Sequence, residues 1–328
     1  MATGDMIEGV RRLVACAGPQ AGEEFVILTD DGFPAHIVER FREVLLESDV
    51  EVTVVQMHRG QNVRSQPTNS AAGAIGAADV VIELTTEFVQ HSTARQEGQA
   101  RGLRYVFIGD IDDAMLAGPG AVYADFAALS PRIEAIAGLV TKSSRMRLTS
   151  KAGTDITVST VGRPGRALTG LAVTPGTFGA PPCLEAGVIP VGGTANGKVV
   201  VDAYCVGIGL ISEPFEVIFE NGRAVSISGS AQGAQLQQIL EAANEFAFDA
   251  CEIGIGLNDR ARMIDNVTSA EACYGTAHVA VGTTPADPGI EIVHAGLHID
   301  MVFHEPTITI DDETVMVDGV LEPRFLSL

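Results

Sequence analysis

The chain has 328 residues, of which 46% are hydrophobic, and its formal charge at pH 7 is −21. Such a negative charge repels phosphate backbones and anionic membrane surfaces, which speaks against nucleic acid or a membrane as a partner. No apolar run reaches the roughly 18 residues of a membrane helix, and the charged start MATGDMIEGVRR does not resemble a signal peptide. Five cysteines without a CxxC pair fit reduced thiols. We therefore expect a soluble, cytoplasmic protein.

The N-terminal part alternates strand-like and helix-like segments. Its apolar runs, rich in Val and Ile, are FVILTD (25–30), VEVTVV (50–55), ADVVIEL (78–84) and RYVFIGD (104–110). Residues 34–48 show apolar positions at helical spacing after Pro34, a residue that the first helical turn favours. This alternation predicts a parallel sheet with crossover helices, and hence a Rossmann-like α/β domain over residues 1–140.

Acidic residues stand near the ends of these runs. Because ligands of open α/β sheets bind outside the carboxyl ends of the strands, we expect a crevice lined by Asp30, Asp31, Glu83 and Asp110. No GxGxxG or GxxxxGK[ST] motif follows a strand, so the sequence gives little support to a dinucleotide or P-loop function.

Residues 141–328 have a different texture, with many short β-type segments such as TDITVST, GKVVVDAY, PFEVIFE and RAVSISG. Two Asn-Gly pairs, Asn196–Gly197 and Asn221–Gly222, predict hairpin turns because both residue types tolerate positive φ. One helix is predicted over roughly residues 231–248, and more strands follow it. This half is predicted to be a mostly antiparallel α+β metal-binding domain, which makes the whole chain α/β plus α+β.

A late H-x-D pattern provides the first candidate metal ligands. Residues i and i+2 of a strand point to the same face, so His298 and Asp300 project together. Glu185, Glu252 and His278 also stand within apolar sequence, and a charge carried into an interior is costly unless it is paired or metal-bound. Taken singly, each glutamate is more typical of an exposed loop acid, and His278 is equally compatible with a hydrogen-bonded core histidine.

The chain resembles the thermophilic metallo-aminopeptidase family of aminopeptidases T and S in SKAGTDIT (150–157) and in VVIELTTEFVQHSTAR (80–95). That family binds two divalent ions through a glutamate before an apolar Pro-containing segment, a second glutamate, a histidine that opens an apolar strand, and a late H-x-D. Residue by residue, these ligands fall on Glu185, Glu252, His278, His298 and Asp300. The resemblance implies two Zn, Co or Mn ions and a homo-oligomer, in which apolar strands such as HVAVG (278–282) and ITI (308–310) are predicted to pair between subunits.

The leading hypothesis from the sequence is a metal-dependent hydrolase that cleaves an amide-type bond in a short peptide or a small cyclic or aryl amide. Two ions roughly 3.5–4 Å apart would lower the pKa of a bridging water and polarise the substrate carbonyl. The candidates for stabilising an oxyanion or moving a proton are Tyr274, His294 and His304. The candidates for orienting metal-bound imidazoles are Glu271, Glu291 and Asp265.

A second family that the chain resembles is that of the iron-dependent 2,5-dihydroxypyridine 5,6-dioxygenases, in SKAGTD, GIGLNDRAR (254–262), CYG (273–275) and the late H-x-D. In that family a histidine matches Glu252, a serine ligand falls near Ala280, and an apolar residue replaces Glu185. Iron(II) poised for oxygen commonly takes two histidines and one carboxylate, whereas three carboxylates suit two hard divalent ions. An iron(II) dioxygenase that cleaves a hydroxylated pyridine-type ring is the alternative, because the segments shared with that family are long, and a non-catalytic metal- or ligand-binding protein is the third hypothesis.

Overall fold

The structure of the chain, a computed structural model, describes residues 3–60, 66–287 and 289–328. Its helices are α1 (Thr3–Ala15), α2 (Ala35–Leu46), α3 (Asn69–Ala77), α4 (Thr93–Ala100), α5 (Asp113–Ala117), α6 (Phe126–Thr141), α7 (Ala231–Glu241), α8 (Val267–Ala272) and α9 (Pro323–Leu326). Short 3₁₀ turns lie at Ala121–Tyr123 and Glu245–Phe248.

The strands are β1 (Glu24–Asp30), β2 (Glu51–Met57), β3 (Val80–Leu84), β4 (Arg104–Phe107), β5 (Arg145–Thr149), β6 (Asp155–Ser159), β7 (Gly165–Leu168), β8 (Phe178–Gly179), β9 (Glu185–Val188), β10 (Asn196–Val201), β11 (Tyr204–Cys205), β12 (Gly209–Leu210), β13 (Phe215–Glu220), β14 (Arg223–Ser228), β15 (Ala250–Gly256), β16 (Thr276–Gly282), β17 (His298–His304), β18 (Thr307–Ile310), β19 (Glu313–Val317) and β20 (Val320–Leu321). The predicted α/β plus α+β layout is confirmed, with one parallel sheet and two larger antiparallel sheets. In the part of the chain that the structure describes, no helix combines the length and apolar character needed to span a membrane.

The residues group into two compact units. Unit 1 comprises Met1–Ala127, Leu168–Cys183 and Ala286–Ile292, and unit 2 comprises Ala128–Ala167, Leu184–Pro285 and Val293–Leu328. The boundary expected near residue 140 lies inside α6, and two later segments of the chain return to unit 1. Strand pairing explains the first return, because β8 extends the parallel sheet of unit 1 beside β4.

Unit 1 contains a five-stranded parallel sheet in the order β2-β1-β3-β4-β8. The four strands predicted in this half are confirmed as β1 to β4, and α2 follows β1 as predicted. Alternate residues of β1 enter opposite cores, since Ile27 packs in the cluster that includes Phe41 of α2, and Leu28 packs in the cluster that includes Ile75 of α3. Helices on both faces explain why β3 and β4 are buried throughout.

The acids at the strand ends of unit 1 differ in their placement. Asp31 lines an open cavity of about 680 Å³ together with Gly32, His58, Arg59, Gly60 and Glu87, so the predicted crevice exists at this residue. Asp30 and Glu83 are instead fully buried, and both accept hydrogen bonds from neighbouring protein groups. Asp110 is exposed and has a positive φ of 53°.

Unit 2 is built from two antiparallel sheets. One has eight strands in the order β14-β13-β10-β6-β5-β18-β19-β20, and the other has seven strands in the order β12-β11-β17-β16-β15-β9-β7. The predicted pairing of HVAVG and ITI between subunits is wrong, because β16 lies between β15 and β17, and β18 lies between β5 and β19. Each of these two strands therefore already pairs along both of its edges with strands of the same chain.

The two Asn-Gly pairs have different outcomes. Asn221 and Gly222 connect β13 to β14 with φ of 50° and 83°, so this hairpin turn is confirmed. The hairpin predicted at Asn196–Gly197 is wrong, because these residues begin β10 and pair with β6. Gly197 suits that position, since an added Cβ would collide with the Asp155 carbonyl oxygen.

Candidate metal centre

Four neighbouring strands of the seven-stranded sheet carry the candidate ligands. Glu185 begins β9, Glu252 lies in β15, His278 in β16, and both His298 and Asp300 in β17. Cross-strand partners include Glu252 with Ala280, Ala280 with Asp300, Gly254 with His278 and Gly256 with Glu185, and His298 lies two residues before Asp300 in β17. Because side chains alternate along a strand and directly paired residues share a face, all five project from one face of the sheet.

The five side chains converge closely. His298 Nε2 lies 3.2 Å from Glu252 Oε2 and 3.4 Å from Asp300 Oδ1. His278 Nε2 lies 3.4 Å from the same Asp300 oxygen and 3.6 Å from Glu185 Oε2. Their ligand atoms form two groups with all distances within 4.8 Å, one of Glu185, Glu252 and His278 and one of Glu252, His298 and Asp300. The structure therefore brings the whole predicted set together, while metal binding by these residues stays a prediction.

The ring of His298 is oriented by the main chain. Its Nδ1 lies 2.7 Å from the Thr283 carbonyl oxygen, so this nitrogen carries the donated proton and Nε2 faces the carboxylates. Burial lowers the pKa of His298, but the charges of Asp300 and Cys251 and their hydrogen bonds to the ring together outweigh burial and hold this pKa well above its ordinary value. The carboxylates thus create a strong local preference for positive charge.

Burial and mutual charge also shift the acids. Burial raises the pKa of Glu185. The charges of His278 and Arg166 act in the opposite direction but offset only part of this increase. For Asp300 burial acts upward, but His298 and His278 outweigh it and hold its pKa below the ordinary range. Burial, the charge of Asp300 and the hydrogen bond between the two carboxyl groups raise the pKa of Glu271 well above its ordinary value.

Arg166 is a member of this site that the sequence analysis missed. It lies in β7, the edge strand next to β9, and its Nη1 forms an ion pair with Glu252 Oε1. The two side chains are only 7% and 6% exposed. The sequence gives little indication of this role, because an arginine in a short strand is usually solvated. Only the packing of β7 makes the position of Arg166 the buried one.

The residues of this face fit a divalent metal ion. Imidazole nitrogens and carboxylate oxygens are common ligands of divalent first-row transition-metal ions. Asp300 Oδ1 is buried and has no hydrogen-bond partner among the described residues. Glycine keeps the face clear, because a Cβ added at Gly254 would lie 2.7 Å from Glu185 Cδ and closer still to the His278 ring. A Cβ at Gly187 would lie 3.0 Å from Glu185 Oε1.

The three predicted catalytic residues differ in their placement. The Tyr274 hydroxyl accepts a hydrogen bond from the Leu321 backbone N–H at 3.0 Å. His304 is exposed at the end of β17, four residues beyond Asp300, which is about 13 Å along a strand. The His294 carbonyl oxygen accepts from the Asn244 side chain at 2.8 Å. The structure does not bring Tyr274 or His304 to the five ligands, and a catalytic role for the three stays a prediction.

Among the acids predicted to orient the imidazoles, only Glu271 lies at the site, through its hydrogen bond to Asp300. Asp265 and Glu291 are exposed. Glu271 lies in the last turn of α8 (Val267–Ala272), immediately before the loop that leads into β16.

Comparison with known proteins identifies the family. The family model of NicX, 2,5-dihydroxypyridine 5,6-dioxygenase, matches residues 5–323. The chain belongs to this family. Its fold is similar to the structure of 2,5-dihydroxypyridine dioxygenase from Pseudomonas putida KT2440, with a TM-score of 0.83, 18% sequence identity and 98% of each chain covered. It is also similar to wild-type AmpT from Thermus thermophilus, with a TM-score of 0.68, 13% identity, and coverage of 98% of this chain and 100% of that one. No protein of curated function matches the sequence.

Family membership corrects the leading hypothesis from the sequence. The prediction of a metal-dependent, aminopeptidase-like amide hydrolase is wrong, because the family is one of dioxygenases. The likeness to AmpT is one of fold at this level of identity. The hypothesis inferred two metal ions from a set of three carboxylates and two imidazoles. It did not include the positive charge of Arg166, which is paired with one of those carboxylates. Metal dependence, as a general property, agrees with the dioxygenase family.

Proposed function

We propose that this chain is a non-haem iron(II) dioxygenase that opens a hydroxylated pyridine-type ring. The match of the 2,5-dihydroxypyridine 5,6-dioxygenase family to residues 5–323 is the observation that carries the proposal. The buried group of imidazoles and carboxylates on the seven-stranded sheet supports it. The substrate would be a small, electron-rich heteroaromatic ring.

The ligands of the ion would be Glu252, His298 and Asp300, which form one of the two close groups. Iron(II), when bound, supplies the one-electron chemistry that lets dioxygen react with an organic ring. The Thr283 carbonyl fixes the ring orientation of His298, and Glu271 holds Asp300 through a hydrogen bond. Such outer contacts fix metal ligands in place and contribute substantially to metal affinity.

His278 and Glu185 would complete the polar face beside the ion. Their Nε2 and Oε2 atoms lie 3.6 Å apart, and burial raises the pKa of Glu185. A buried pair of this kind can accept the proton that a ring hydroxyl releases and hold it near the reacting ring. Both side chains are about 2% exposed, so bulk water does not compete for that proton.

Oxygen consumption tests the proposal. Protein stripped of metal with a chelator is reconstituted anaerobically with Fe(II), Mn(II) or Zn(II) and then mixed with 2,5-dihydroxypyridine in an oxygen electrode. We expect uptake of about one O₂ per ring only with Fe(II), and both atoms of ¹⁸O₂ in the ring-opened product.

Two variants complete the test. Asp300→Asn should abolish oxygen uptake, whereas Asp155→Asn, which changes an exposed acid paired with Arg147, should leave it intact. Protein that retains bound Fe(II) but consumes no oxygen with 2,5-dihydroxypyridine or with its dihydroxypyridine isomers would contradict the proposed function.

A further inference from the structure

The Arg166 guanidinium is the one cationic side chain in contact with the candidate ligands among the residues that the structure describes. Its Nη1 pairs with Glu252 Oε1, and its charge also acts on Glu185. Glu252 and Glu185 are the two carboxylates of the group that includes His278. Arg166 lies in the edge strand β7, whereas Asp300 and His298 lie in β17, and β9, β15 and β16 lie between these two strands.

The ion pair changes the charge that an ion would meet. Arginine keeps its proton in proteins, so Glu252 and Arg166 together carry no net charge. His298 adds no charge when its Nε2 holds an ion, because that nitrogen is then deprotonated, and Asp300 adds a single negative charge. The resulting balance equals that of a two-histidine, one-carboxylate set, the arrangement that non-haem iron(II) oxygenases use.

The same contact disfavours a second ion. A dinuclear centre places its ions roughly 3.5–4 Å apart and commonly shares a carboxylate between them. Glu252 is the residue that both close groups share, and one of its two oxygens is held by the guanidinium. A second dication among Glu185, Glu252 and His278 would lie against the buried positive charge of Arg166, where water screens the repulsion weakly.

We infer that Arg166 sets the metal stoichiometry of the site: its guanidinium takes the place of a second divalent ion and makes the five-residue cluster a one-ion centre. This rests on the proposed function only in that Glu252, His298 and Asp300 are the ligands of the first ion. Arg166 acts through Glu252 and is therefore a positioning residue.

Manganese provides a countable probe, because Mn(II) is stable in air and paramagnetic. Wild-type protein and the Arg166→Met variant, which keeps much of the side-chain volume without the charge, are saturated with Mn(II), desalted, and analysed by elemental analysis and electron paramagnetic resonance. We expect about one ion per wild-type chain with the spectrum of isolated Mn(II), and about two per Arg166→Met chain with the spectrum of a coupled pair.

Three further variants sharpen the count. Arg166→Lys retains a positive charge and should bind about one ion, whereas Arg166→Gln, which provides a second neutral replacement if Arg166→Met does not fold, should bind about two. Arg147→Met removes an exposed arginine, paired with Asp155, from the same unit and should bind about one. Circular dichroism establishes that each chain is folded.

The outcomes separate this inference from the proposed function. Two ions in the wild-type chain, or a single ion in the folded Arg166→Met and Arg166→Gln chains, would overturn the role of Arg166 whatever the protein does with oxygen. No bound manganese in any chain would overturn the ligand set as well. The expected counts together with an absence of oxygen uptake would leave the inference standing and reject only the dioxygenase proposal.

Discussion

The molecule buries acidic side chains in two ways. In unit 1, Glu83 is fully buried and accepts three hydrogen bonds of 2.7 Å, from the Thr85 hydroxyl, the Val89 backbone N–H and the Tyr105 hydroxyl. Arg95, which is 1% exposed and stacks over Phe178, adds a favourable charge nearby. Every donor here belongs to the protein, so the arrangement is complete without a ligand.

In unit 2 the buried acids face imidazoles and one another. Asp300 Oδ1 lies 3.4 Å from the Nε2 atoms of both His278 and His298, which is too long for a strong hydrogen bond. The close approach of so many ligand atoms is expensive in an interior unless a cation balances it. Burial and a shifted pKa alone therefore do not mark a functional acid; the identity of the groups facing the carboxylate oxygens separates the structural acid from the candidate metal ligand.

The largest expected effect follows from Asp300→Asn, which removes the charge shared by the two imidazoles. We expect the affinity for Mn(II), measured by isothermal titration calorimetry, to fall by roughly 100-fold or more, because even an outer contact of a metal ligand is worth 10–100-fold. Asp155→Asn is the matched control, since Asp155 is an exposed acid in the same unit and should leave the affinity unchanged. Equal affinities for the two variants would erase the distinction between the two kinds of acid.

Glu83→Ala tests the other side of the comparison. Removal of this carboxylate leaves three buried donors without their acceptor, so we expect the free energy of unfolding to fall by about 3 kcal/mol, since each unsatisfied donor costs about 1–3 kcal/mol. Urea denaturation followed by circular dichroism measures the change. The number of Mn(II) ions bound per folded chain should stay the same, and a loss of metal binding would show that Glu83 is more than a structural acid.

The sequence predicted the parts of this contrast that depend on local pattern. Runs of Val and Ile predicted β1 to β4, and the i, i+2 spacing predicted that His298 and Asp300 share a face. The convergence of Glu185, Glu252 and His278 came from family resemblance, because strands far apart in the chain had to be paired to bring them together. Two-residue strands such as β8 carry no periodic signal, which explains why the return of the chain to unit 1 was not expected.

Long-range charge was the part that the sequence could not provide. Arg166 reaches Glu252 across β9, a contact between residues 86 positions apart, and no local pattern marks it. Without that contact, three carboxylates indicated two ions and hydrolysis, and the function that followed was wrong. Glu83 was likewise expected to line a crevice, because its position at a strand end does not reveal that Thr85 and Tyr105 enclose it.

Gly254→Ala should produce a smaller effect at the metal centre. The added Cβ would lie 2.7 Å from Glu185 Cδ and nearer still to the His278 ring, so the ring must move. We expect a loss of stability of about 1–3 kcal/mol, as for other overpacked interiors, together with roughly 10-fold weaker Mn(II) binding. Thermal melting with and without Mn(II) measures both.

Gly73→Ala is the control for that substitution. Gly73 lies in the middle of α3, is exposed, and has no atom within 4 Å of an added Cβ. Alanine should therefore stabilise the chain by about 0.5–1 kcal/mol and leave metal binding as it is. If Gly254→Ala behaved like Gly73→Ala, glycine would not be needed to keep the site clear.

The smallest expected effect is a pH dependence confined to the structural acid. Burial raises the pKa of Glu83 above its ordinary value of 4.5, even though its three hydrogen bonds and Arg95 act in the opposite direction. The folded chain therefore binds the proton more tightly than the unfolded chain does, and the contribution of Glu83 to stability, complete below pH 4.5, is lost as the pH rises towards the folded-state pKa. Glu83→Gln is neutral at every pH, so its free energy of unfolding should gain on that of the wild type as the pH increases, by about 1.4 kcal/mol for each unit by which the pKa is raised. Melting curves from pH 4 to 8 measure the difference. A difference that stays constant over this range would mean that the three protein donors hold Glu83 as a carboxylate. Glu83 would then resemble the acids of the candidate metal centre, which a bound cation would hold in the same form.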